Sequence, residues 1–349
     1  MAKEKLFTAS ITLPGGKRKY FRAKTKAELA GKIEKAKYAI GQGINIDDST
    51  TLTELAQLWF DTVKKPVIRA TTANTLKSNL NLYVLQPFIA GMKVKDIKPT
   101  HIALAMANLS KYSHGIQSHA LSLYKALFRF AMENHLILYT PILSDTKPGG
   151  PQTRERVPLT REQSQQLLAA DLTPGAHLFC AIALGAGLRR EEILGLMWED
   201  VDLESGVIHV RHANPLNPGT TGITTELKTP AAKRDIPMPI WLLAEMKKAR
   251  AASTSLYVLA SDTGAPYDAK EFSRMDYSIQ RQNFAFHVYP HLLRHTCITR
   301  WFEAGLDIKE IQYLAGHSTL EMTLSVYTHY DRAGRADETA RKIREAAAF

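Results

Sequence analysis

The sequence predicts a multidomain α+β protein: an N-terminal β-hairpin with a helix, an all-α middle region, and a mainly α C-terminal region with a small antiparallel sheet. Three observations predict this fold class. Apolar and polar residues alternate around a Pro-Gly-Gly turn near the N-terminus, apolar residues follow helical spacing from 51 to about 139, and short β-rich runs interrupt helical ones after 158. Since 349 residues usually make two or three domains, we expect domains at 1–48, 49–148 and 153–349.

Composition indicates an anionic partner. The net charge is +11, of which +6 lies in residues 1–48, +5 in 49–145 and none in 146–349. This asymmetry is typical of a protein that holds nucleic acid with its N-terminal half. Two cysteines, Cys180 and Cys297, exclude a disulfide framework and a Cys-based zinc site. We see no signal segment or membrane-length apolar run and therefore expect a cytoplasmic protein.

The first 48 residues contain the candidate DNA contacts. An alternating strand from Phe7 leads through the turn into a basic return strand, and Thr25 is expected to cap a helix that runs to about Ile40. The candidate DNA-binding side chains are Lys17, Arg18, Lys19 and Arg22. Basic strands with interleaved aromatic residues suit insertion into a DNA groove. A solvated hairpin face explains the same pattern equally well, so both readings stay open.

The middle region predicts four or five short helices. Leu52, Leu55, Ala56 and Trp59 form one apolar stripe, a second helix is expected from about residue 71, a third from Thr100, and a fourth at 118–134. Together they predict a compact helical domain. A Pro- and Gly-rich linker at 147–151 separates it from the last region.

The C-terminal region begins with a capped helix at Thr160 and a buried helix at 178–188. Short strands are predicted at 207–210 and 234–238. Further helices are expected at 241–250, 292–304, 307–314 and 319–328, with a charged tail helix at 332–348.

Four strings in this region concentrate residue types that serve catalysis. They are Gly187-Leu188-Arg189-Arg190-Glu191-Glu192, Leu227-Lys228-Thr229, His291-Leu292-Leu293-Arg294-His295-Thr296, and Leu314-Ala315-Gly316-His317, the last followed by Tyr327-Thr328-His329. On these strings, in this order and spacing, the chain resembles a tyrosine recombinase, specifically a phage or integrative-element integrase, over essentially its whole length. It departs from the family pattern at Leu292 and Ala315, where neither side chain supplies chemistry.

The resemblance implies a site-specific DNA recombinase that integrates and excises a mobile element through a 3′-phosphotyrosyl intermediate and a Holliday junction. The residues that match the family's catalytic set are Arg189, Lys228, His291, Arg294, His317 and Tyr327. The arginines would clamp the phosphate, Lys228 would protonate the leaving 5′-oxygen, and Tyr327 would be the nucleophile. The histidines would donate hydrogen bonds or shuttle a proton. No cofactor or metal is implied.

The resemblance also implies the working assembly. The N-terminal module would bind arm-type DNA, the helical domain would bind core DNA, and the catalytic domain would complete a clamp around the duplex. The partners would be double-stranded attachment sites, three further copies in a tetramer on DNA, an excisionase and a host DNA-bending protein. The location would be the nucleoid of a bacterial cytoplasm.

Several alternatives accompany this interpretation. Arg190 competes with Arg189, Lys233 with Lys228, and Tyr330 with Tyr327. Glu192 either orients Arg189 or forms a plain surface ion pair, and Tyr313 is expected in the core. Two other functions fit the basic N-terminus or the tyrosine chemistry: a non-catalytic DNA-binding regulator on this fold, and a type IB-like DNA topoisomerase.

Overall fold

The computed structural model describes residues 6–151, 157–216, 222–225 and 230–327, and at 230 and 325–327 it describes the backbone alone. The chain divides into two compact units, Met1–Arg154 and Glu155–Phe349. The expected α+β class, mainly helical with small antiparallel sheets, is confirmed. The finer division of the first unit near residue 48 stays a prediction.

The first unit begins with an antiparallel hairpin of β1 (Phe7–Thr12) and β2 (Arg18–Ala23), followed by α1 (Lys26–Gly41). Gly15 and Gly16 take positive φ angles of 93° and 83°, which allow the tight reversal between the strands. Thr25 caps α1 because its Oγ accepts from the Glu28 N–H at 3.1 Å. One face of the hairpin packs on α1 through a small apolar cluster.

The rest of this unit is helical. Its helices are α2 (Leu52–Trp59), α3 (Ala70–Asn79), α4 (Pro87–Ala90), α5 (Pro99–Ala107) and α6 (His114–Glu133). Thr51 and Glu54 form the capping box that begins α2. The longest helix, α6, carries the fully buried Tyr124 and Phe128, around which the other helices pack.

The second unit contains a small three-stranded antiparallel sheet. Its strand order is β3 (Val201–Asp202), β4 (Val207–Val210), β5 (Arg234–Pro237). Its helices are α7 (Arg161–Leu168), α8 (Pro174–Ala186), α9 (Arg190–Gly195), α10 (Ile240–Ala252), α11 (Ala269–Gln280), α12 (Pro290–Glu303), α13 (Ile308–Ala315) and α14 (Leu320–Tyr327). The strands and helices predicted after residue 158 are therefore present, with ends that differ by one or two residues in most cases. The predicted tail helix lies outside the described residues.

The core of the second unit is built around α8. This helix is apolar on all sides, which is the pattern of a fully enclosed helix, and it packs against α10, α11 and α12. The sequence interpretation overlooked α11, although Asp268 and Glu271 form a capping box and Phe272, Met275 and Ile279 follow helical spacing. Within the described ranges, no helix is long and apolar enough to cross a membrane.

Candidate active site

Gly187 places the first candidate residue by ending α8 sharply. Its φ of 61° lies in the left-handed region, and a Cβ at this position would stand 2.9 Å from the Trp301 ring and 3.2 Å from the Cys297 sulfur. The chain then turns through the buried Leu188 to Arg189, which occupies the N-cap position of α9 with an extended backbone. The turn thus brings a guanidinium to the beginning of a new helix.

Glu192 holds that guanidinium. The Arg189 N–H and Nη1 both donate to the Glu192 carboxylate at 2.8 Å. Glu192 is 3% exposed, so the alternative of a plain surface ion pair is wrong. Burial alone would raise the pKa of Glu192, but the hydrogen bonds from Arg234 and the charges of Arg189 and Arg294 outweigh burial and lower that pKa to about 2.

Arg294 joins Arg189 at the turn between α13 and α14. Arg294 lies in the first turns of α12, is buried, and donates to the Gly187 carbonyl at 2.7 Å and to the Ala315 carbonyl. Arg189 Nη2 donates to the next carbonyl, that of Gly316, at 2.5 Å. The two arginines therefore lie side by side on consecutive peptide groups. Burial and the charge of Arg189 lower the pKa of Arg294 to about 9, which leaves it charged at neutral pH, and the Glu192 carboxylate lies 4.0 Å from its Nη1.

His317 follows directly after this turn. Its imidazole is largely buried, and Nδ1 lies 3.0 Å from the hydroxyl oxygen of the fully buried Thr323 on α14. Burial, followed by the charges of Arg294, Arg189 and Arg234, lowers the pKa of His317 to about 4. The ring is therefore neutral at pH 7. His291, near the exposed beginning of α12, is close enough for its charge to contribute to the same shift.

Arg234 is the site residue that sequence reasoning missed. Its fully buried guanidinium donates to both Glu192 oxygens, at 3.0 Å and 2.8 Å, and to the carbonyls of Leu314 and Ala232 at 2.6 Å and 2.8 Å. It lies on β5, where buried and exposed residues alternate and Arg234 takes a buried position. That inward strand position was the available signal, because a charged residue there requires a buried partner.

The other candidates of the second unit are described incompletely. Lys228 lies outside the described residues, as does Tyr330. Tyr327 is the last residue of α14, and only its backbone is described. The helix α14 packs against α12 and α13, the helices that carry Arg294 and lead to His317.

Two competing residues have other contacts. Arg190 donates to Glu191 at 2.7 Å and lies 5.4 Å from the centre of the Phe272 ring. Tyr313 is 53% exposed, and its hydroxyl oxygen accepts from the Asp235 N–H at 3.1 Å. The expectation that Tyr313 is a core residue is wrong, because its side chain is largely exposed and contacts the exposed residue Asp235 of β5.

The hairpin separates the four basic candidates by strand alternation. Arg18 and Arg22 lie with Tyr20 on the exposed face of β2. Lys19 lies on the other face, where its Nζ donates to Asp47 at 2.5 Å and to the Ile46 carbonyl at 2.9 Å. Lys17, in the turn, stays 79% exposed at 3.8 Å from Asp47. The exposed face therefore carries two arginines and an aromatic ring, and Lys19 has a counter-ion.

Comparison with known proteins gives consistent matches. Residues 158–333 match the family model described as Phage integrase family, and residues 51–105 match the one described as Phage integrase, N-terminal SAM-like domain. The chain is 26% identical over 345 residues to the "Tyrosine recombinase XerC-like" protein of Caldanaerobacter subterraneus subsp. tengcongensis, covering 89% of this chain and 88% of that protein.

Two solved structures share the fold. A Tn1549 transposon integrase in complex with a circular intermediate DNA gives a TM-score of 0.70 at 21% identity, over 84% of this chain and all of that one. A lambda integrase tetramer bound to a Holliday junction gives 0.64 at 18% identity, over 95% of this chain and 98% of that one. At these identities the likeness concerns the fold.

Proposed function

Since the chain belongs to the phage integrase family and is a site-specific DNA recombinase, we propose that it integrates and excises a mobile genetic element. The reaction proceeds through a 3′-phosphotyrosyl intermediate and a Holliday junction. The observation that carries the proposal is the pair of guanidinium groups, Arg189 and Arg294, that donate to the consecutive carbonyls of Gly316 and Ala315.

The charge of this cluster supports phosphate binding. Three arginines share one carboxylate, so the cluster of Arg189, Arg234, Arg294 and Glu192 keeps a formal excess of two positive charges. A phosphodiester in transfer develops negative charge on its non-bridging oxygens. Two fixed guanidinium groups stabilise that charge without reorganisation, and the loss of one such donor typically slows a reaction by about 10²–10³-fold.

In this proposal Tyr327 is the nucleophile and Lys228 is the general acid. The Tyr327 phenol releases its proton to solvent, its oxygen attacks phosphorus in line, the Tyr–O–P bond forms as the P–O5′ bond breaks, and Lys228 supplies the proton to the leaving 5′-oxygen. The phosphotyrosyl bond retains the phosphodiester's free energy, so the reverse attack by a 5′-hydroxyl rejoins the strand. A neutral His317, whose Nδ1 accepts from the Thr323 hydroxyl, presents its Nε2–H to a phosphate oxygen; this tautomer is our assignment.

The proposal also includes the partners of the protein, which are the DNA sites, further copies of the chain and two accessory proteins. The double-stranded attachment sites contact the exposed face of the hairpin through Arg18, Arg22 and Lys17, and Lys19 contributes less because it pairs with Asp47. The active assembly is a tetramer on DNA, and an excisionase and a DNA-bending host protein set the direction of the reaction in the bacterial nucleoid. The likeness to a lambda integrase tetramer bound to a Holliday junction supports the tetramer.

The test is formation of a covalent complex. The full chain is incubated without metal with nicked DNA from the junctions that flank its native gene, and products are resolved on a denaturing gel. We expect a protein–DNA adduct that is lost in Tyr327→Phe and retained in the matched control Tyr330→Phe. No adduct despite intact DNA binding favours the regulator, and relaxation of any plasmid regardless of sequence favours the topoisomerase.

A further inference from the structure

Arg234 makes an unusual set of contacts for a residue that the proposed chemistry does not use. Its side chain is fully buried, and its guanidinium donates four hydrogen bonds to three separate segments: Glu192 on α9, Leu314 at the end of α13, and Ala232 before β5. Because the side chain is inaccessible, it cannot contact a DNA phosphate.

Two of the segments that Arg234 holds carry or precede a candidate catalytic residue. Glu192 receives both the backbone N–H and Nη1 of Arg189. Leu314 belongs to the last turn of α13, which leads through Gly316 into His317. Gly316 also packs directly on Arg234, since a Cβ there would stand 3.0 Å from Arg234 Nη1. One guanidinium therefore fixes the supports of two groups that come from distant parts of the chain.

We infer that Arg234 is a positioning residue that aligns Arg189 through Glu192 and fixes the turn before His317. The inference rests on the proposed function, because alignment matters only if these groups act on a phosphate. Arginine suits this role because its planar fork offers five donors in fixed directions, whereas a lysine offers three donors from one point. A lysine at this position would keep the charge near Glu192 and lose the simultaneous contacts with both oxygens and with Leu314.

The test is a double-mutant cycle between Arg234→Lys and Arg189→Ala, measured as the single-turnover cleavage rate on the nicked DNA. We expect Arg234→Lys alone to lower the rate by about 10²-fold, the size of effect produced by a misplacement of about 1 Å. In the Arg189→Ala background the further loss should be several-fold smaller, because no guanidinium is left to align and only the turn before His317 is still affected. The dissociation constant for DNA should stay within about twofold of that of the wild type.

The matched control is Arg300→Lys. Arg300 is a half-buried arginine on α12 that donates to Ser164 at 2.6 Å and to the Thr160 carbonyl at 3.3 Å, away from Glu192. This variant makes the same chemical change and should leave the cleavage rate within about twofold. Near-ultraviolet circular dichroism verifies folding of each variant. If Arg234→Lys does not fold, the same double-mutant cycle is measured with Arg234→Gln, which retains a hydrogen-bond donor without the charge.

A second readout separates this inference from the proposed function. Binding of orthovanadate, a phosphate analogue, is measured by calorimetry for the same four proteins of the cycle. Arg234→Lys should weaken vanadate binding, and this loss should be several-fold smaller when Arg189 is already alanine. That result supports the inference even if no variant cleaves DNA, in which case only the proposed function fails. The positioning role is overturned if Arg234→Lys causes the same fold-loss with and without Arg189. The loss is read from the cleavage rate if the wild type cleaves DNA, and from vanadate binding if it does not.

Discussion

Glu192→Gln removes the carboxylate on which three guanidinium groups converge. The substitution keeps the shape of the side chain and removes one negative charge from a site that is 3% exposed. The contacts of Arg234, Arg189 and Arg294 lower the pKa of Glu192 from 4.5 to about 2, which corresponds to about 3 kcal/mol of stability at neutral pH. The substituted unit should therefore unfold at a temperature about 6–12 °C lower.

The pH dependence of the same variant has a definite sign. The pKa of Glu192 is lower in the folded state, so its contribution is complete above the unfolded value of 4.5 and is lost as pH falls toward 2. The wild type and Glu192→Gln should consequently differ most above pH 5 and converge below pH 4.5. Thermal melts followed by tryptophan fluorescence report chiefly on the second unit, because Trp198, Trp241 and Trp301 all lie there.

The neighbouring carboxylate provides the control. Glu191 is 37% exposed and pairs with Arg190 at 2.7 Å, so Glu191→Gln should cost less than about 1 kcal/mol. A melting temperature for Glu192→Gln within about 2 °C of the wild type would refute the reasoning. An equal loss in Glu191→Gln would refute it too, since the effect would then belong to any charge at the beginning of α9.

Three further outcomes are expected. The wild type should lose thermal stability as the pH falls from 6.5 to about 4, because in that range the unfolded chain binds a proton at His317 that the folded protein does not bind. His317→Asn should show a smaller loss over the same range, and an unchanged slope of melting temperature against pH contradicts this. Arg18→Gln should reduce the salt dependence of DNA binding by about one counterion while Lys19→Gln reduces it less, and equal slopes in a salt titration would refute the assignment of faces. Gly187→Ala should lower the melting temperature and the cleavage rate, because its φ is positive and the new Cβ meets Trp301, whereas Gly31→Ala, in open space on α1, should do neither.

Local features of the sequence predicted most of the elements and the family. Thr25 and Thr160 accept from the amide three positions on, and each begins a helix as expected. Short β-rich runs correctly predicted β4 and β5. The order and spacing of the four strings likewise require no tertiary information, and the family that they indicated is the one that the match over 158–333 shows.

What the sequence left open was the choice of partner for each charge. Lys19 and Arg18 are adjacent and equally basic, yet the pleat turns one toward Asp47 and the other toward solvent. Tyr313 was expected in the core and is exposed, since α13 turns Ile311 and Ala315 inward instead.

The sequence by itself determined the family, the order of the elements and the identity of the candidate arginines, since these depend on near neighbours and on recurring strings. Only the tertiary structure decided that Glu192 is buried among three arginines and that Arg234 is one of them. Residues 192 and 234 are far apart along the chain. Burying either charge alone is unfavourable, and the ion pair that offsets this forms only when folding brings the two side chains together.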